Sequence, residues 1–423
     1  MNRQGARWRA CFGMVLGLAA LSCGGGGGGT GSTLSGGSGS SGGGGSGASN
    51  VVPIAVSAGP SGAAFNTIFT TVTVCLPGTS TCQTIDNIQV DTGSYGLRLL
   101  APVVTLSLPV AMQNGSSLLE CVDFLDGYSW GPVTLVDLKV GAETAASLPV
   151  HLIGDARFPN VPNDCVQNAG QSVEEDTVAQ FGANGLLGIG PLAYDCGDLC
   201  ASAPQAASYY TCTSSAASSC TGVAVPLANQ VQNPVRHFAS DNNGVIIELP
   251  SVAGTGAASA SGSLVFGVDT ASNNQLGSAT VLTLGGSSST NPLPADLFTA
   301  FNGATDEAFI DSGSNGLYFN DAALPACASP NESFYCPSSA QALGATIQAA
   351  SGNGSAALSF TVGNLDDMLS ADPGFYALPE VAGTLSAAAN DFDWGVPFFY
   401  GRHVAYVIEG ASSSAGNGPL VAF

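Results

Sequence analysis

From residue 51 onward, short apolar runs rich in β-branched residues alternate with Gly, Pro and Asn. The runs at 70–74, 133–140, 244–249, 263–268, 280–284 and 404–408 have the length and punctuation of strands. Helical spacing is scarce, and the best segments for it are 173–181, 294–301 and 338–349. The pattern predicts a mostly β fold with few short helices.

Within that pattern one decapeptide occurs twice. Val90-Asp91-Thr92-Gly93-Ser94-Tyr95-Gly96-Leu97-Arg98-Leu99 is echoed by Ile310-Asp311-Ser312-Gly313-Ser314-Asn315-Gly316-Leu317-Tyr318-Phe319. One copy falls in each half of the body, which predicts two related lobes that donate the same loop. A strand ending in Asp-(Thr/Ser)-Gly-Ser can present a carboxylate at a tight turn. Gly93 and Gly313 allow close approach, and the Ser94 and Ser314 hydroxyls can hold the carboxylates. Face to face, Asp91 and Asp311 cannot both ionise, so they would share a proton. The ionised partner can then take a proton from water while the neutral one polarises a carbonyl. One such motif would read as an ordinary turn; two matched copies in separate halves point to amide hydrolysis.

These residues resemble the pepsin-like aspartic protease family, and further segments follow in the family's order. Ala183-Asn184-Gly185-Leu186-Leu187-Gly188-Ile189-Gly190 is similar to the apolar-apolar-Gly segment that packs beside the first Asp loop. Gly262-Ser263-Leu264-Val265-Phe266-Gly267-Val268-Asp269 is similar to the strand closing the first lobe. Trp394-Gly395-Val396-Pro397-Phe398-Phe399 stands where the second such segment belongs, and Tyr406-Val407-Ile408 resembles the last long strand. The resemblance covers residues 51–423 in islands and is nearest to bacterial lipoproteins of this fold. It implies a two-lobed fold with a central cleft, an N-terminal lobe at 51–268 and a C-terminal lobe at 269–423. It also implies catalytic Asp91 and Asp311, with Thr92 and Ser312 bonded across the lobe interface, and no cofactor or metal.

Two departures matter. The family's flap carries Tyr-Gly-x-Gly, whereas this chain has Phe124-Leu125-Asp126-Gly127-Tyr128-Ser129-Trp130-Gly131. Tyr128 or Trp130 is the candidate flap aromatic, with hairpin packing as the rival role. Residues 191–225 form an apparent insertion with four cysteines, expected to be a stapled surface loop. Arg98 is expected at the surface, and Asp126, Asp164, Asp306, Asp366 and Asp367 as solvated turn carboxylates rather than calcium ligands. Phe398, Phe399 and Tyr400 are expected in the core.

Charge and the N-terminus complete the picture. Eight basic residues stand against 30 acidic ones, a net charge of −22, and such a surface excludes nucleic acid and anionic headgroups as partners. It suits solubility, and it also suits acidic surroundings, where protonation relieves self-repulsion. Arg3, Arg7 and Arg9 precede an apolar run that ends at Ala20-Leu21-Ser22-Cys23. Residues 1–23 read as an export signal with a lipobox-like end and Cys23 as the lipidation site. Residues 24–50 are a Gly/Ser tether. The expected place is the bacterial envelope, outer membrane and periplasmic or cell-surface, with the lipid as the one membrane contact.

Ten further cysteines suit an oxidising compartment. Proximity suggests Cys75/Cys82, Cys196/Cys200, Cys212/Cys220 and Cys327/Cys336, which leaves Cys121 and Cys165. His151, His237 and His403 are too scattered for a zinc site. The expected function is an acid-favoured aspartic endopeptidase, monomeric, acting on peptide or unfolded protein. The alternative is a lipoprotein that binds peptide or glycan in the same cleft without cleaving it.

Overall fold

The computed structural model describes residues 49–124, 127–168, 173–285, 297–352, 354–385 and 391–423. The signal, Cys23, nearly all of the tether and Asp126 lie outside the described residues. No helix among them is long and apolar enough to cross a membrane.

Strand Cys82–Asp91 ends at the first motif aspartate, and strand Tyr95–Leu100 leaves the loop. Strand Gly185–Ile189 inserts between them, parallel to the first with Asp91 opposite Gly188, and antiparallel to the second with Leu97 opposite Leu187. The second half repeats the arrangement. Strand Ala304–Ile310 leads into Asp311, Leu317–Tyr318 leaves, and Asp391–Trp394 inserts between them. Trp394 faces Ile310 in parallel register and Leu317 in antiparallel register. The repeated decapeptide therefore marks a repeated three-strand unit, and the apolar-Gly segments are its inserted strands.

The first unit belongs to a large sheet that runs on through Ile68–Cys75, Val51–Val56, Ala260–Phe266, Gly244–Glu248, His403–Val407, Leu420–Ala422 and Val281–Thr283. The last three of these strands come from beyond residue 268, so the sheet also forms a floor shared by both halves. The second unit belongs to a seven-stranded sheet. One apolar core joins the two, from Val56, Ile88 and Leu187 to Phe319, Phe392 and Phe399. Phe392 stacks on Phe319 at 4.9 Å and on Trp394 at 4.5 Å, which fixes the inserted strand behind the second Asp loop. The chain is mostly β, and its two repeated units meet with their Asp loops at the centre.

Of the three segments with helical spacing, two are strands. Residues 338–349 contain Gln341–Gln348, paired residue by residue with Ser355–Val362; the alternation outweighs the weaker helical spacing. In 294–301 the described part, Leu297–Phe301, is a strand of alternating burial. It turns into Ala304–Ile310 through Asn302-Gly303, both at positive φ, the two-residue hairpin that Asn-Gly favours. In 173–181 only Val178–Phe181 is helical, capped by Thr177 accepting from Gln180 N.

Five disulfides form among the described residues: Cys75–Cys82, Cys121–Cys165, Cys196–Cys200, Cys212–Cys220 and Cys327–Cys336. The sulfurs of Cys327 and Cys336 lie near Asp366, but they are committed to their disulfide. Phe398, Phe399 and Tyr400 are buried. Asp366 accepts from Asn331 Nδ2 and Asp164 from Tyr210 OH, so these two are tied into local structure and are not simply solvated.

Candidate active site

The two motif loops meet at the centre, with Asp91 and Asp311 buried. Gly93 N donates to Asp91 Oδ1 at 2.7 Å, and Gly313 N to Asp311 Oδ1 at 2.7 Å. Ser94 Oγ donates to Asp91 Oδ2, and Ser314 Oγ to Asp311 Oδ2 at 2.9 Å. Each carboxyl thus has an inner oxygen on a backbone N–H and an outer oxygen on a hydroxyl, in mirrored fashion.

A second layer locks the loops together. Ser312 N donates to Thr92 Oγ1 at 2.9 Å, and Thr92 N to Ser312 Oγ at 3.1 Å. Thr92 Oγ1 donates onward to Ile310 O, and Ser312 Oγ to Val90 O. Gln89 Nε2 reaches Gly313 O, and Tyr406 OH reaches Ile310 O. The backbone N–H and the hydroxyl of both Thr92 and Ser312 thus have partners, as buried groups require.

The glycines set how closely the carboxyls approach. A Cβ on Gly93 would stand 2.7 Å from Asp311 Oδ1, and one on Gly313 2.6 Å from Asp91 Oδ1. Only glycine lets each carboxyl sit over the opposite loop. The two carboxyls lie close enough to act on each other directly. Burial pushes Asp311 well above the usual carboxylate range, and the charges of Asp91 and Asp393 add to it. Burial also raises Asp91, against the hydrogen bonds from Asp311, Ser94 and Gly93 and the charge of Arg98. The pair therefore shares one proton, and its titration belongs to the two carboxyls together.

Arg98 is not at the surface; it is 2% exposed. Strand Tyr95–Leu100 is buried along its whole length, so a guanidinium there needs buried partners. Arg98 Nη1 donates to Glu120 Oε1 at 2.8 Å, and Nη2 lies 3.5 Å from Asp195 Oδ2. Tyr209 OH donates to Asp195 at 2.7 Å and accepts from Val231 N at 2.8 Å. His151 Nδ1 lies 3.2 Å from Arg98 Nη1. Burial and the Arg98 charge hold the His151 pKa well below its ordinary value, which keeps the ring neutral. Glu120 is pushed well above the usual range by burial, against the pull of Arg98.

This cluster walls a cavity of about 50 Å³ between the first Asp loop and the hairpin over it. Gly93, Ser94 and Tyr95 line one side, and Val122, Asp123 and Phe124 the other. Asp195, Ser208 and Tyr209 also line it, so the cysteine-rich insertion is no mere surface loop. Its strand Tyr209–Cys212 pairs with the hairpin strand Ser116–Asp123, and it borders the site directly. Asn66 is a further link that the sequence hides: its side chain bonds Asn315 O and Leu378 O across the halves and accepts from Tyr400 OH.

The candidate flap aromatics lie on the hairpin strand Tyr128–Val140. Trp130 is turned away from the dyad. Its Nε1 donates to Phe158 O and its ring packs edge-on against Tyr210 at 5.4 Å, beside Cys121–Cys165. Tyr128 is clasped by residues 173–175, through Tyr128 N to Val173 O and Glu175 N to Tyr128 O.

Among solved structures, the chain is similar to the aspartic proteinase from Irpex lacteus, at 15% identity and a TM-score of 0.47 over 88% of this chain and 96% of that one. No curated protein matches it in sequence. A family model described as "Protein of unknown function (DUF3443)" matches residues 46–423, and the chain belongs to that family.

Proposed function

We propose that the chain is an aspartic endopeptidase, hydrolysing peptide bonds with a water activated by Asp91 and Asp311. The observation that carries this reading is the mirrored pair of carboxyls, each on one backbone N–H and one Ser hydroxyl, meeting over Gly93 and Gly313. A packing or binding role has no need of two matched carboxyls that must share a proton at a cost in burial.

In the proposed cycle, the ionised carboxylate takes a proton from a water bound at the pair. The hydroxide attacks the scissile carbonyl, and the protonated carboxyl donates to the carbonyl oxygen. A tetrahedral gem-diol results. Its collapse breaks the C–N bond as the carboxyl proton passes to the leaving amine and one gem-diol hydroxyl returns its proton to the dyad, which is left with one proton for the next water. No metal or nucleophilic side chain is used. The raised position of the pair supports activity in acid, extending upward in pH as far as one proton is retained.

The substrate would be an extended or unfolded peptide. The lobes would span 51–268 and 269–423, and the protein would act as a monomer. Disulfides point to an oxidising compartment, and a lipid on Cys23 would tether the protein to the bacterial envelope through residues 24–50. The packed-away Trp130 favours the second reading, a cleft that holds peptide or glycan without turnover. Incubating the full chain with an unfolded protein across acidic pH, beside Asp91→Asn and Asp311→Asn, separates the two. Cleavage lost in both variants supports the hydrolase, and binding without cleavage supports the alternative.

A further inference from the structure

The inserted strand Asp391–Trp394 brings a third carboxyl to the centre. Asp393 lies opposite Phe309 and Tyr318 in register, one residue before Trp394, whose carbonyl accepts from Asp311 N at 3.0 Å. The internal repeat says what the fold requires there. In the first unit Leu186 lies opposite Gln89, in the register that sets Leu187 against Val90. Leu186-Leu187-Gly188 thus corresponds to Asp393-Trp394-Gly395, and the equivalent of Asp393 is an apolar leucine. The architecture does not need a carboxyl at this place.

Asp393 is nevertheless completely buried. Its carboxyl faces the Ser314 hydroxyl, but neither oxygen reaches a well-formed hydrogen bond among the described residues. The charged groups acting on it are Asp91, from the first loop, and Asp391, on its own strand, while Asp311 feels its charge in turn. Tyr406, whose hydroxyl reaches Ile310 O, also feels that charge. The charged groups named here are carboxyls, so burial and like charge both favour the neutral acid.

We infer that Asp393 is a third carboxyl of the active centre, a neutral acid that holds the Ser314 hydroxyl in its donation to Asp311. The protonated acid has the hydrogen that the geometry lacks. Its O–H donates to Ser314 Oγ, which leaves the serine's own hydrogen for Asp311 Oδ2, and the two bonds polarise each other. If Asp393 ionised, the Ser314 hydroxyl would turn to it and Asp311 would lose its donor. Asp393 is thus a positioning residue acting through Ser314. Its effect on turnover rests on the hydrolase reading; its protonation and its contact with Ser314 do not.

The test is infrared difference spectroscopy on the full chain near neutral pH, joined to pH–rate profiles. Subtracting Asp393→Asn from the unmodified protein should reveal the C=O stretch of a buried carboxylic acid. Ser314→Ala should move that band to higher frequency as its hydrogen bond is lost. In kinetics, Asp393→Asn keeps a donor and the shape. It should stay within about threefold in kcat, with the high-pH limb altered because residue 393 no longer ionises beside Asp311. Asp393→Leu should lose about tenfold in kcat at unchanged KM. If the leucine variant fails to fold, the asparagine and alanine variants carry the test. No acid band at residue 393, or a band indifferent to Ser314→Ala, would overturn the inference. A band that behaves as expected in a protein without hydrolytic activity would sink the hydrolase reading and leave the Asp393–Ser314 pair standing.

Discussion

Thr92 and Ser312 exchange hydrogen bonds across the two Asp loops, backbone N–H to side-chain oxygen in both directions, at 2.9 and 3.1 Å. Each hydroxyl also donates to the strand that carries the opposite loop. The crossing fixes the relative position of Asp91 and Asp311 without touching either carboxylate. Replacing Thr92 by Val keeps the volume and strips the oxygen, which leaves Ser312 N buried and unmet. The expected loss is about 1–3 kcal/mol of stability and roughly a hundredfold of hydrolysis, through misplacement of the pair. Thr92→Ser should restore most of both, and urea unfolding beside a peptide-hydrolysis assay checks it.

Gly93 and Gly313 lead to a sharper expectation. A methyl group at either position collides with the carboxyl of the other loop, so Gly93→Ala and Gly313→Ala should fold but drive the pair apart. Hydrolysis should fall by about 10² or more with the circular dichroism spectrum unchanged. Activity at the unmodified level in either variant would refute the close approach described above.

The buried carboxyls set how stability depends on pH. Asp91, Asp311, Asp393 and Glu120 are all raised in the folded state, so folding binds protons there. Their contribution is complete below the unfolded carboxylate pKa of about 4 and is lost as pH rises through the folded values. His151 and His237 are lowered and act in the opposite sense below about pH 6.5. With four carboxyls against two histidines, calorimetry should show Tm falling from about pH 4 to pH 8. Asp311→Asn should flatten that slope.

Arg98 and its partners form a buried ion cluster, which costs most when half of it is removed. Arg98→Met strands the carboxyls of Glu120 and Asp195 and should cost about 3–5 kcal/mol. Adding Glu120→Gln should recover part of that loss, since the neutral amide needs no counter-charge. A double-mutant cycle in denaturant measures the coupling.

Cys121–Cys165 staples the hairpin over the Asp91 loop to a helix 44 residues on. Chain-entropy reasoning gives about 4 kcal/mol for a loop of that length. The Cys121→Ala, Cys165→Ala pair should lose stability of this order, together with hydrogen-exchange protection in Ser116–Asp123 and Tyr128–Val140. An unaltered exchange pattern would show that the pairing with Tyr209–Cys212 alone holds the hairpin.

Much of the centre was legible from the repeated decapeptide, because a motif repeated once per half encodes a unit repeated once per half. The disulfides followed from short separations, four of the five spanning nine residues or fewer. What escaped depends on distance along the chain. Arg98 finds Glu120 and Asp195 at separations of 22 and 97 residues, and Asn66 reaches Leu378 across 312; no local pattern announces such partners. Asn302-Gly303 is a different case, since the hairpin dipeptide was in plain view beside a segment with helical spacing. Asp393 was hidden by its company in Asp391-Phe392-Asp393-Trp394, which reads as polar alternation on an open strand although Phe392, Asp393 and Trp394 are all buried.

The most direct test of the central claim is hydrolysis of an unfolded protein by the full chain from about pH 3 to 7, beside Asp91→Asn, Asp311→Asn and a statine-type transition-state analogue. The expected result is acid-favoured cleavage that disappears in both variants and with the inhibitor. A folded protein that leaves the substrate intact at every pH, or cleavage that survives either substitution, would contradict it.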